Sequence, residues 1–222
     1  MQFNIITLFP EMFDGPFSAS MVKRASDRGL INIQLSHLRG YAEGKHQIVD
    51  DTPYGGGKGM VLKVDVMDKA ISDAREKSQG KTRVILLTPK GETFNQKKAI
   101  EFSSLDCLIL VCGHYEGFDE RIRKLVDEEI SLGNFVLTGG EIPAMAIVDS
   151  TARLVPGVLS EESPDIESFM QQNEKGEYLL EYPQYTRPAE YNGLKVPDVL
   201  LSGNHQAVEK WRKENSKPKK NV

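Results

Sequence analysis

TRVILLT at 82–88 and CLILVCG at 107–113 are nearly unbroken apolar runs, and FVLTG at 135–139 is a third. A strand with one wet face alternates apolar and polar residues. Runs without alternation point instead to strands buried on both faces, as in a parallel sheet. Each run leads into a glycine-bearing stretch: TPKGE at 88–92, CGHYEG at 112–117 and TGGE at 138–141. Helical patterns follow, and EIPAMAIVDSTARL at 141–154 reads as a helix with Pro143 in its first turn. Working outward, NIITL reads as a first strand and 31–38 as another. Residues 17–28 form a short helical candidate, with Phe17, Met21, Val22 and Ala25 as its apolar positions, and 64–78 an amphipathic helix. This repetition of strand and helix predicts an α/β fold with a parallel sheet.

The remainder divides by composition. Residues 157–190 have weak periodicity and many acids, which suggests a linker or a segment ordered on binding. A shorter helical unit follows, with Asn204 as the cap of HQAVEKWRKEN. The expected organisation is a cofactor-binding α/β domain at 1–160, a linker at 161–190 lying over the active site, and a helical domain at 191–222.

Composition narrows the function. The 222 residues are 39% hydrophobic, enough to bury a core. No apolar run approaches the ~18 residues of a membrane span. The opening MQFNIITLFPEMF lacks a basic start, so it reads as a core strand rather than a leader. Cys107 and Cys112 stand at odd spacing in one run, hence on opposite faces and unable to bridge. With few histidines they form no zinc pattern, and a reduced cytoplasmic protein is expected. The net charge of −4 argues against indiscriminate binding to nucleic acid. Its distribution is uneven, however. Residues 161–181 carry seven acids and one base, whereas KWRKENSKPKK at 210–220 carries six bases and one acid, offering a basic end to a polyanion.

Two constellations carry chemistry. In open parallel sheets, ligands gather beyond the carboxyl ends of the strands, so the three glycine-bearing loops can form one pocket. Glu116 there can accept a hydrogen bond from an amine. Neither GxGxxG nor GxxxxGK[ST] occurs, so a standard dinucleotide or triphosphate site lacks support. The second constellation is DDTPYGGGKGM at 50–60, within a long loop over 39–60. Asp50 and Asp51 can accept hydrogen bonds from a base edge. The glycine run can close over a substrate. Of the histidines at 37, 46, 114 and 205, none has a spacing that marks an acid–base pair.

Taken in order, ITLFPEMF (6–13), DDTPYGGGKGM (50–60), LVCGHYEGFDERI (110–122), GNFVLTGGEIPAMAIVDSTARLVPGVL (133–159), YPQYTRP (182–188) and LLSGNHQAVEKWR (200–212) span essentially the whole chain. Together they resemble the bacterial tRNA (guanine-N1)-methyltransferase family, of the SPOUT class.

The resemblance implies a parallel-sheet domain with a deep trefoil knot, plus a small helical C-terminal domain. It implies bent S-adenosyl-L-methionine as cofactor, with Mg2+ a further candidate that has no dedicated protein site. The partners implied are tRNA and a second copy of the chain, in an antiparallel homodimer whose active site draws on both subunits. The activity implied is methylation of N1 of the guanine immediately 3′ of the anticodon, when another guanine precedes it. The cofactor residues carried over are Leu87, Thr88 and Pro89; Gly113, Tyr115 and Glu116; and Gly133, Asn134, Phe135, Val136, Leu137, Thr138 and Gly140. The substrate residues are Arg24, Asp50, Asp51, Gly57, Lys58, Gly59, Ser202, His205 and Arg212. Arg153 and a carboxylate of the linker are the implied catalytic groups. This chain departs from the pattern twice. Lys58 stands where the family commonly has proline. The catalytic aspartate usually precedes Ser-Phe, whereas here Glu167 precedes Ser168 and Phe169, with Asp165 two residues earlier. Glu167 is favoured by register, and Asp165 is the alternative.

Overall fold

The computed structural model describes residues 1–159 and 167–218. The chain divides into two compact units, Met1–Leu159 and Ser160–Val222. In the first, five parallel strands form one sheet in the order β2-β1-β6-β5-β7. They are β1 (Gln2–Thr7), β2 (Asn32–His37), β5 (Thr82–Thr93), β6 (Cys107–Cys112) and β7 (Glu128–Ser131). A separate ribbon pairs β3 (Asp50–Asp51) with β4 (Val61–Leu62) antiparallel.

The apolar run CLILVC is the central strand, and all six of its residues are buried. Its side chains alternate between two cores. Leu108, Leu110 and Cys112 join Phe3, Ile5 and Ile85 on one face, and Cys107, Ile109 and Val111 join Ile6, Val84 and Leu86 on the other. The cysteines therefore point apart and are free, as their spacing required. Helix α3 (Val64–Glu76) covers the second face through Val66, Met67, Ala70, Ile71 and Ala74, a stripe at helical period. The first face is covered by α2 (Ser20–Asp27), α4 (Gln96–Ser103) and α5 (Glu141–Ala152), through Val22, Phe102 and Ile147 among others. A single turn, α1 (Asp14–Phe17), precedes α2. No helix among the described residues is long and apolar enough to cross a membrane.

Two expectations for the strand ends are corrected. FVLTG is not a strand. The last strand is EEIS, and Phe135, Val136 and Leu137 are exposed in the loop that follows it. EEIS, which the sequence analysis did not single out, is the sheet edge, where Lys98 bonds to Glu128 and Arg123 to Glu129. TPKGE, expected as a turn after a strand, falls inside β5. Its register against β7 shifts between Leu87 and Glu92, so Thr88, Pro89 and Lys90 leave the ladder before pairing resumes. Gly91 is required there, because a Cβ would stand 2.4 Å from the Ile130 amide nitrogen.

The second unit is built from small pieces. A hairpin joins β8 (Glu190–Tyr191) to β9 (Leu194–Lys195) through Asn192 and Gly193, both at positive φ, as a two-residue turn of this kind demands. Helix α6 (Asp198–Leu201) precedes α7 (His205–Asn215). Asn204 caps α7 by accepting a hydrogen bond from the Ala207 amide at 3.1 Å, as expected. Trp211 lies against Tyr182 and Tyr185, with ring centroids 6.4 and 6.3 Å away.

Candidate active site

The bulge in β5, the loop after β6 and the loop after β7 open at the same end of the sheet and border one cavity of about 330 Å³. The place follows from the parallel topology, which gathers strand ends into a crevice. Of the thirteen cofactor residues expected, all but Asn134 line this cavity. The walls are apolar at Leu87, Pro89, Ile130, Leu132 and Pro143, and acidic at Glu116, Asp119, Glu120 and Glu129.

Glycine permits the close approach of the walls. Gly140 donates its amide to the Gly113 carbonyl at 2.9 Å. A Cβ on Gly140 would stand 2.6 Å from Cys112 Cα, and one on Gly113 would stand 2.5 Å from the Phe118 ring. Behind them Thr7, at the end of β1, donates its hydroxyl to Glu141 Oε1 at 2.7 Å, and both residues are buried. Glu141 opens α5, where the helix dipole favours a negative charge. Burial pushes the Cys112 thiol well up, and the Glu141 carboxylate adds to this. His114 packs edge-on to Tyr115 and tilted against Phe9, each centroid 4.8 Å away. Its Nδ1 is buried with no hydrogen-bond partner among the described residues. At the rim, Arg121 donates two hydrogen bonds to Asp119, at 2.9 and 2.7 Å, and holds its carboxyl down at about 2.

The remaining expected residues lie elsewhere. Arg24 is exposed on α2. Asp50 and Asp51 form β3, and Asp51 accepts a hydrogen bond from the Thr52 amide at 2.8 Å. Gly57, Lys58 and Gly59 are exposed on the loop between β3 and β4. None of these lines the cavity. Arg153 caps the far end of α5, about 18 Å of helix from Glu141 at 1.5 Å per residue. Ser202 and His205 flank the cap of α7 and are exposed. Arg212 lies over the Tyr182 ring, 5.0 Å from its centroid, and 3.4 Å from Glu209. Glu167 begins the turn in which its carbonyl accepts the Met170 amide at 3.2 Å. Asp165 lies outside the described residues. Sequence reasoning missed Thr7, Glu141, Asp119 and Arg123. An acid directly after two glycines and before a helical run was the available signal for Glu141.

The model of the tRNA (guanine-1)-methyltransferase TrmD family matches residues 1–222. Proteins described as tRNA (guanine-N(1)-)-methyltransferase resemble the chain throughout. The one from Syntrophotalea carbinolica is 54% identical over 96% of this chain and 84% of its own length. That from Halalkalibacterium halodurans is 53% identical over 97% and 86%. That from Dictyoglomus turgidum is 50% identical over 97% and 85%. Agreement of this extent, over both units and every cavity-lining loop, means that the chain belongs to the tRNA (guanine-1)-methyltransferase TrmD family.

Proposed function

We propose that this protein methylates N1 of the guanine immediately 3′ of the anticodon in tRNA, with S-adenosyl-L-methionine as methyl donor. The observation that carries the reading is the convergence of three separate strand-end loops on one cavity. The cavity fits that donor. Its apolar residues and bare glycine backbone suit a flat heterocycle, and its carboxylates suit a ribose diol and a cation. Bound there, the donor supplies an electrophilic methyl group on a sulfonium centre. Glu116 is the candidate acceptor for donor hydroxyl or ammonium groups.

Guanine N1 carries a proton at neutral pH and is a poor nucleophile until that proton leaves. Glu167, or Asp165 in its place, takes this proton. Arg153 orients the guanine or stabilises the negative charge that develops on O6. Because Arg153 stands at the opposite end of α5 from the cavity, a second copy in an antiparallel homodimer is the natural source of the arginine. The close crossing of Gly140 over Cys112 and Gly113 is what a trefoil-knotted chain would require. The segment 161–190 is the proposed linker over the site. Residues 191–222 are the proposed tRNA grip, with His205 and Arg212 on α7. Mg2+ remains a candidate cofactor without a dedicated protein site.

Methylation of tRNA transcripts bearing guanine or adenine after the anticodon tests the reaction. Only guanine is expected to accept a methyl group, and equal labelling refutes the reading. A ribose 2′-O-methyl product would resist alkaline cleavage at that linkage, whereas an N1-methyl product would not. Under single-turnover conditions Glu167→Gln should slow transfer about 10²–10⁴-fold with little change in tRNA affinity. If Asp165→Asn does this instead, Asp165 is the base.

A further inference from the structure

His114 lines the cavity, yet its Nδ1 is buried with no hydrogen-bond partner among the described residues. A polar nitrogen is rarely left so, because its lost hydration is then uncompensated. The ring is boxed in by Phe9 and Tyr115, each centroid 4.8 Å away. What lies nearest to Nδ1 is shown by Gly139, the residue between the loop after β7 and α5. The point that a Cβ on Gly139 would occupy is 2.9 Å from His114 Nδ1 and closer still to Glu141 Oε2. The ring nitrogen and the carboxylate oxygen are therefore near neighbours, and only bare glycine backbone stands beside them. The Gly113 carbonyl is 3.2 Å from the same point, but it already accepts the Gly140 amide. The carboxylate is the stronger acceptor of the two.

Glu141 is held from its other side. Its Oε1 accepts the Thr7 hydroxyl at 2.7 Å, and Thr7 Oγ1 in turn accepts the Phe9 amide at 3.0 Å. Phe9 is the ring that packs on His114. Thr7, Phe9, His114 and Glu141 thus form a circuit that is complete except for one bond. It joins the end of β1, the loop after β6 and the start of α5.

We propose that His114 donates its Nδ1 proton in a hydrogen bond to Glu141 Oε2, directly or through one water, and that the pair are positioning residues for the methyl donor. The bond ties the loop after β6 to the start of α5 on either side of Gly139, and Gly139 and Gly140 line the cavity. It also fixes the imidazole tautomer, leaving Nε2 as the acceptor nitrogen. The role, though not the bond, rests on the methyl-transfer reading above.

Two variants of the full chain separate this bond from packing. His114→Phe keeps a ring against Phe9 and Tyr115 but removes the nitrogen. His114→Asn gives up the ring but can place an amide N–H where Nδ1 stands. Calorimetry should show S-adenosyl-L-methionine bound about tenfold more weakly by His114→Phe, the value of one hydrogen bond to a charged group. His114→Asn should bind it nearly as the unaltered protein does. In His114→Phe the KM for the donor should rise with the dissociation constant while kcat changes little, as positioning requires. The opposite order, with His114→Phe unimpaired and His114→Asn weakened, would mean that the ring only packs, and would overturn the proposal. The bond itself is read in the unaltered protein labelled with 15N-histidine, where the His114 signal is the one lost in His114→Asn. Its Nδ1 should resonate as a proton-bearing nitrogen and should shift in Glu141→Gln. An Nδ1 without a proton, or a resonance indifferent to Glu141→Gln, shows that the pair is wrong. If the unaltered protein binds no S-adenosyl-L-methionine, the function reading fails and the positioning role with it, while the nitrogen resonance still decides the bond.

Discussion

The two units are held together by different means. Every buried apolar side chain among the described residues lies between Phe3 and Val155, in the first unit. The described residues of the second unit, 167–218, include no fully buried side chain. What orders that unit is a set of surface devices: the Asn204 cap, the Asn192–Gly193 turn, the rings of Tyr182 and Tyr185 on Trp211, and Arg212 over Tyr182. A short segment cannot enclose much apolar surface. It therefore opens more readily than a sheet core does. The catalysis proposed for the first unit would need such fixed walls, whereas the tRNA grip proposed for the second would tolerate a looser frame.

Four substitutions sharpen or break this contrast. The largest effect is expected at Leu108→Ala, in the central strand, where lost burial and the cavity left behind cost ~2–5 kcal/mol. Denaturant unfolding followed by far-UV signal measures it. A cost under ~1 kcal/mol would mean that the sheet is not the seat of stability. Gly140→Ala should be next, at ~1–3 kcal/mol, because its Cβ meets backbone that cannot swing aside. It should also abolish calorimetric binding of S-adenosyl-L-methionine. Retained binding would show that the walls yield. Thr7→Val removes the hydroxyl that bonds to buried Glu141 and should cost ~1–3 kcal/mol. Its unfolding midpoint, set beside that of Thr7→Ser, separates the lost hydrogen bond from the lost methyl group. Smallest, Trp211→Ala should leave the first unit's stability within ~0.5 kcal/mol while amide exchange accelerates across α7. A matching loss of protection in β6 would merge the two units into one.

Legibility in the sequence follows the same division. The central strands were plain because a doubly covered strand must be apolar at every position. The edge strand EEIS was hidden because its glutamates are matched by cations outside the strand, Glu128 by Lys98, 30 residues away, and Glu129 by Arg123, six residues away. FVLTG misled for the opposite reason, since its apolar residues line the cavity and do not belong to a sheet. The three loops of that cavity were readable from their glycines. The buried bond between Thr7 and Glu141 was not, because no local pattern joins the end of the first strand to the start of α5. In the second unit the Asn204 cap was legible. The Tyr-Asn-Gly-Leu hairpin carried its own turn signal and was overlooked.

The strand order has a consequence for how the molecule comes into being. β1 is made before the other strands of its sheet, yet it lies inside that sheet. Gln2 pairs with Asn32 on one side and with Cys107 on the other. Until the segment around Cys107 appears, the nascent β1–β2 pair exposes an apolar edge to every other unfinished chain nearby. Contacts of such long range are slow to close. A truncated polypeptide ending before β6 should therefore be prone to clumping. The pocket arrives later still, since Thr7 waits for Glu141.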